Sequence, residues 1–74
     1  SQSDERLKYF GDDIIVDFKQ LSNIPKRYFK YKNSEEWHIG TSAQAIREVY
    51  PEIVNKCDDG TLSVAYDKLS IILL

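Results

Sequence analysis

The groups in this chain that could do chemistry are few and widely spaced. There is one cysteine, Cys57, and one histidine, His38. Together they cannot furnish the four ligands of a structural zinc site, and a lone thiol excludes an internal disulfide. Cys57 precedes Asp58-Asp59 and has only Lys56 as a basic neighbour. That setting does not favour a thiolate, so the residue reads as structural. His38 follows Trp37 and could relay a proton, but a single imidazole in a strand is more simply a partly buried, hydrogen-bonded group. The opening Ser3-Asp4-Glu5-Arg6-Leu7-Lys8, taken alone, reads as a capped turn, with Ser3 or Asp4 at the N-cap and Lys8 a solvated charge. Tyr28, Phe29, Tyr31 and Trp37 could form a platform for a sugar ring, yet aromatics at strand spacing are more often core or subunit interface, and core is the better reading. Gln44 and Glu48, one turn apart, read as a solvated helix face or as polar contacts of a site or seam.

The elements that must position these groups belong to a small domain. The chain has 74 residues, with ten Lys and Arg against twelve Asp and Glu, for a formal charge of -2. This is one domain, residues 1–74, and it buries only about 60 to 65% of the surface its unfolded chain exposes. With neither disulfide nor metal to supplement the core, oligomerisation remains. The charge balance gives no basic stripe, because the cations of Pro25 to Lys32 alternate with aromatics, and this argues against nucleic acid as a partner. No apolar run approaches the ~20 residues of a membrane span, and the opening residues are too polar for a signal peptide, so no membrane partner is expected. Neither a cofactor nor a metal is expected.

Along the chain, Ile14, Ile15, Phe18 and Leu21 recur at helical spacing, which predicts a short amphipathic helix capped by Asp12 or Asp13 and stopped at Asn23-Ile24-Pro25. Arg27 to Lys32 reads as a strand, Asn33 to Glu36 as a turn, and Trp37 to Thr41 as the returning strand, with Gly40 marking a bend or close approach. Ser42 to Tyr50 predicts a second helix ended by Pro51. Ile53 to Cys57 and Leu62 to Tyr66 predict a second hairpin around Asp59-Gly60. From Asp67 the pattern turns helical, and Leu69 to Leu74 is apolar enough to require cover from another chain or from a longer helix. The fold class is α+β: two β-hairpins, short helices and the start of a C-terminal helix.

The order of these pieces resembles a known family. Ser3-Asp4-Glu5-Arg6-Leu7-Lys8, the aromatic Tyr28-Phe29-Lys30-Tyr31, Trp37-His38-Ile39-Gly40 with Ala43-Gln44, Glu48 to Glu52, and Asp59 to Leu69 together resemble the S74-type intramolecular chaperone domain. Such domains stand at the C-terminus of bacteriophage tailspikes, tail fibres, endosialidases and neck appendages, and a similar module occurs in myelin regulatory factors. The resemblance implies a homotrimer that helps an upstream β-rich stalk of the same polypeptide to fold and then cuts itself off with a Ser-Lys dyad. By position, the dyad is Ser3 and Lys8 and the scissile bond lies between Gln2 and Ser3. The implied location is a virion tail or appendage precursor assembled in the bacterial host cytoplasm. Two alternatives share the fold: a trimerisation cap that stays attached, and a self-cleaving domain that frees a membrane-tethered transcription factor.

Elementary geometry constrains such a dyad. A lysine serves as base only where burial or a neighbouring cation favours its neutral form, so Lys8 must be desolvated in the active state. Five positions along an α-helix set two side chains roughly 140° apart. Ser3 therefore belongs in a turn or extended segment, or Lys8 meets Ser3 of a neighbouring subunit. The chain departs from the family pattern in two places. Gln44 is followed by Ala45 where many members have glutamate. The family's long C-terminal coiled-coil helix is represented only by Tyr66 to Leu74, which implies truncation there.

Overall fold

Two antiparallel hairpins and three short helices make up the computed structural model, which describes residues 2–74. A 3-10 turn over Glu5–Leu7 is followed by irregular backbone and then by α1 (Phe18–Asn23). Next come β1 (Arg27–Phe29), β2 (His38–Gly40), α2 (Ala43–Val49), a 3-10 turn at Pro51–Ile53, β3 (Val54–Lys56), β4 (Leu62–Val64) and α3 (Tyr66–Ile72). This is the expected α+β mixture, with two separate two-stranded sheets, β1-β2 and β3-β4.

The first helix is shorter than the apolar spacing implied. Asp17, not Asp12 or Asp13, is its N-cap, and its carboxylate accepts from the Gln20 N–H at 3.1 Å. Ile14-Ile15-Val16 is a β-branched run, whose side chains lose rotamer freedom in a helix, and the segment stays outside any helix. At the other end, Ile24 is extended at φ -66°, ψ 121° ahead of Pro25, as the pyrrolidine ring requires of the residue before it. The second helix starts where expected: the Ser42 hydroxyl accepts from the Ala45 N–H at 3.1 Å. Pro51 opens a 3-10 turn there rather than merely ending α2, a position where its missing N–H is no loss.

The interior is minimal. Among the described residues only Ile46, Tyr50 and Ile53 are buried, with Leu21, Val49, Val64, Leu69 and Ile72 packed against them. The β3-β4 hairpin lies on this core, and the Ala65 N–H donates to the Ile53 carbonyl at 2.8 Å to tie α3 to it. Its turn closes where Gly60 takes φ 88°, a left-handed conformation that suits a residue without Cβ. The radius of gyration is 15.0 Å, against roughly 11 Å for a compact chain of this length. Residues 2 to 15 are exposed throughout.

The aromatics of the first hairpin are not core. Tyr28 is 75% exposed, Trp37 63% and Tyr31 60%, and only Phe29 is half-buried. Phe29 lies 5.4 Å from His38 and 5.3 Å from Tyr31 between ring centroids. It also lies across Gly40, where a Cβ would stand 2.8 Å from its ring. The glycine is thus a close approach, made by an aromatic ring from the neighbouring strand.

Candidate functional site

Ser3 precedes the Glu5–Leu7 turn in irregular backbone, and Lys8 follows it in extended conformation at φ -130°, ψ 148°. This is the non-helical setting that a five-residue separation demands. Asp4 is the N-cap. Its carboxylate accepts from the Arg6 N–H at 2.9 Å and from the Arg6 guanidinium at 2.7 to 3.2 Å. The Arg6 side chain, with the Arg6 N–H second, holds the Asp4 carboxyl below its ordinary value, and Asp4 in turn raises Arg6. The capped turn read from the hexapeptide alone is therefore present, with Asp4 rather than Ser3 as cap. Arg6 was not singled out in the sequence. Spacing gives no signal for it, since charges two positions apart do not face one another on a regular helix.

The backbone of the turn is committed internally. The Leu7 N–H donates to the Asp4 carbonyl at 3.1 Å and the Lys8 N–H to the Glu5 carbonyl at 3.2 Å. Gln2, Ser3 and Lys8 are exposed, as are Leu7, Tyr9 and Phe10, and among the described residues no hydrogen bond joins the Ser3 hydroxyl to the Lys8 amine. Among the described residues of a single copy, none buries the Lys8 side chain. The arm returns to the body near Tyr50, whose hydroxyl donates to the Ile15 carbonyl at 3.4 Å. A groove of about 680 Å³ runs alongside, lined by Ile14, Ile15, Val49, Tyr50, Ile71 and Ile72 among others.

The remaining sequence candidates fall away from this arm. His38 is half-buried on β2 between Phe29 and Tyr31, stacked rather than placed as a relay to Ser3 or Lys8. Gln44 and Glu48 are exposed on α2, as a solvated face would be. Cys57 is exposed, which corrects its reading as a structural thiol. Its backbone does the structural work, donating to the Thr61 carbonyl at 2.8 Å and accepting from the Gly60 N–H at 2.9 Å.

Comparison with known proteins adds one match. The family model Peptidase S74, described as chaperone of endosialidase, matches residues 3–55. No curated protein and no solved structure gives a significant match. The chain belongs to the chaperone of endosialidase family.

Proposed function

We propose that this member of the chaperone of endosialidase family promotes trimeric folding of an upstream β-rich stalk and is then released by cleavage between Gln2 and Ser3. The observation that carries the reading is that the family match begins at Ser3 and takes in Lys8. The stalk is that of a phage fibre or spike, assembled as a virion precursor in the host cytoplasm.

In the cleavage step the Ser3 hydroxyl attacks the carbonyl carbon of Gln2. Neutral Lys8 takes the hydroxyl proton and passes it to the departing Ser3 nitrogen, so the peptide C–N bond breaks as the ester C–O bond forms. Water then hydrolyses the ester. The N–H groups of Arg6, Leu7 and Lys8 are used within the turn. The Ser3 nitrogen is the leaving group, so the oxyanion donors are sought in the Asp4 and Glu5 N–H groups or in a neighbouring copy. Both dyad residues are solvated in one copy, so the reading requires assembly to cover Lys8. Cleavage then waits for the trimer.

The test is processing of the chain carrying a stretch of its upstream stalk. Ser3→Ala and Lys8→Ala should each abolish the shortened band while leaving assembly intact. If both variants are processed at the normal rate, the dyad is wrong. If the parent protein assembles and never shortens, the domain is a cap that stays attached.

A further inference from the structure

The β1-β2 hairpin has two faces, and one of them has no cover. Its register pairs Tyr28 with Ile39 and Phe29 with His38. Side chains alternate along a strand, so Phe29 and His38 share one face while Tyr28 and Ile39 share the other. Continuing the register by one step sets Lys30 opposite Trp37, and the Lys30 ammonium indeed lies 5.4 Å from the Trp37 ring centroid. Lys26, Tyr28 and Ile39 line a common shallow depression. The Tyr28 face therefore carries Tyr28, Trp37 and Ile39, exposed by 75%, 63% and 78%, between the cations Lys26 and Lys30, and at its Ile39 end it borders a groove toward Leu21, Ile46, Leu69 and Leu73 of the same chain.

Charge decides what such a face can meet. From Lys26 to His38 there are four cations against Glu35 and Glu36, whereas the chain as a whole is net acidic. Lys26 donates only to the Leu21 and Ile24 carbonyls, and Lys30 has Glu35 at 3.5 Å in solvent, a long exposed pair that neutralises little. Two copies of this face laid on each other would oppose like charges, which disfavours the self-paired contact of a two-fold dimer. A ring of three instead needs two different, complementary patches on every copy. The second patch is present. Asp12-Asp13-Ile14-Ile15 offers two carboxylates followed by two isoleucines exposed by 61% and 86%.

We infer that residues Asp12 to Ile15 of one copy seat on the Tyr28 face of the first hairpin of the next, Ile14 and Ile15 on Tyr28, Trp37 and Ile39, and the two aspartates toward Lys26 and Lys30. This rests on the trimeric reading above and names its seam. The contact holds the base of the arm that bears Ser3 and Lys8, and so couples subunit docking to the position of that arm.

The experiment uses the 74-residue chain and its one tryptophan. In wild type, Trp37 emission should shift to the blue with rising concentration while sedimentation equilibrium reports association. Asp12→Lys with Asp13→Lys, or Lys30→Glu alone, should each weaken association about tenfold or more at low salt. Carrying all three changes in one chain should recover part of the loss, because Lys26 is unchanged and still opposes the reversed charges at positions 12 and 13. Lys26 is left in place because it caps α1, and circular dichroism matched to wild type excludes a folding defect. Association indifferent to the separate changes, or no stronger in their combination than in the separate variants, overturns this seam while the chaperone reading stands. A wild-type chain that stays monomeric overturns the seam as well. Loss of processing in Ser3→Ala bears on the dyad alone.

Discussion

The two hairpins have the same size and opposite fates. Each pairs two three-residue strands in antiparallel register. In β3-β4 the apolar Val54, Leu62 and Val64 turn toward α2 and its neighbours, and Asn55 opposite Ser63 is left to water. In β1-β2 one face holds Phe29 and His38 against each other, while the other presents Tyr28, Ile39 and Trp37 to solvent. Strand propensity and alternation were equally good in both. The difference lies in what is underneath: α2 packs on the second hairpin, whereas the first borders only an open groove toward Ile46 and Leu69 and leaves Tyr28, Trp37 and Ile39 exposed.

The comparison breaks most decisively in the core. Ile46, fully buried, should lose about 2 to 5 kcal/mol on truncation to alanine, enough to unfold so small a domain. Urea titration followed by circular dichroism would register it as loss of the folded baseline. The same titration sharpens the contrast between sheets. Val64→Ala should cost roughly 1 to 2 kcal/mol from lost burial, and Tyr28→Ala less than about 0.5 kcal/mol in the isolated chain. Equal losses would mean that the first hairpin carries folding energy after all.

Gly40→Ala ranks next. Its Cβ would meet the Phe29 ring at 2.8 Å, and the ring is held by Tyr31 and His38, so a loss of about 1 kcal/mol is expected. The readout is a shift in the Phe29 ring protons by NMR. The smallest effect belongs to the second hairpin's turn. The Thr61 hydroxyl and N–H both donate to Asp59, at 2.6 and 2.9 Å, and hold its carboxyl below the ordinary value, the hydroxyl more than the N–H. A lowered carboxyl stabilises the fold fully above its unfolded value, and that contribution disappears as pH falls through the folded one. Amide exchange at Thr61 should therefore quicken only on strong acidification, and Asp59→Asn should flatten the response.

Most elements were legible because their signals are local: helix formers from Ser42 to Tyr50, Ile24-Pro25 as stop, Asp59-Gly60 as turn. The start of α1 lies later than the apolar spacing predicts, because Ile14, Ile15 and Phe18 at that spacing also fit a β-branched run that does not join the helix. Exposure of Tyr28, Tyr31 and Trp37 was not legible at all, since alternation tells which residues share a face and not whether anything covers that face. At the candidate site, the turn between Ser3 and Lys8 followed from the cap preference of Ser3-Asp4. The Asp4–Arg6 lock did not, because two exposed charges two residues apart rarely hold a fixed geometry.

Cys57, left in solvent at the second hairpin's turn, is the chain's sole thiol and takes no part in the core or the inferred seam. A maleimide dye placed there would mark every copy once at an unaltered sequence position. Mixing donor-labelled and acceptor-labelled populations would then time how long each copy stays with its neighbours.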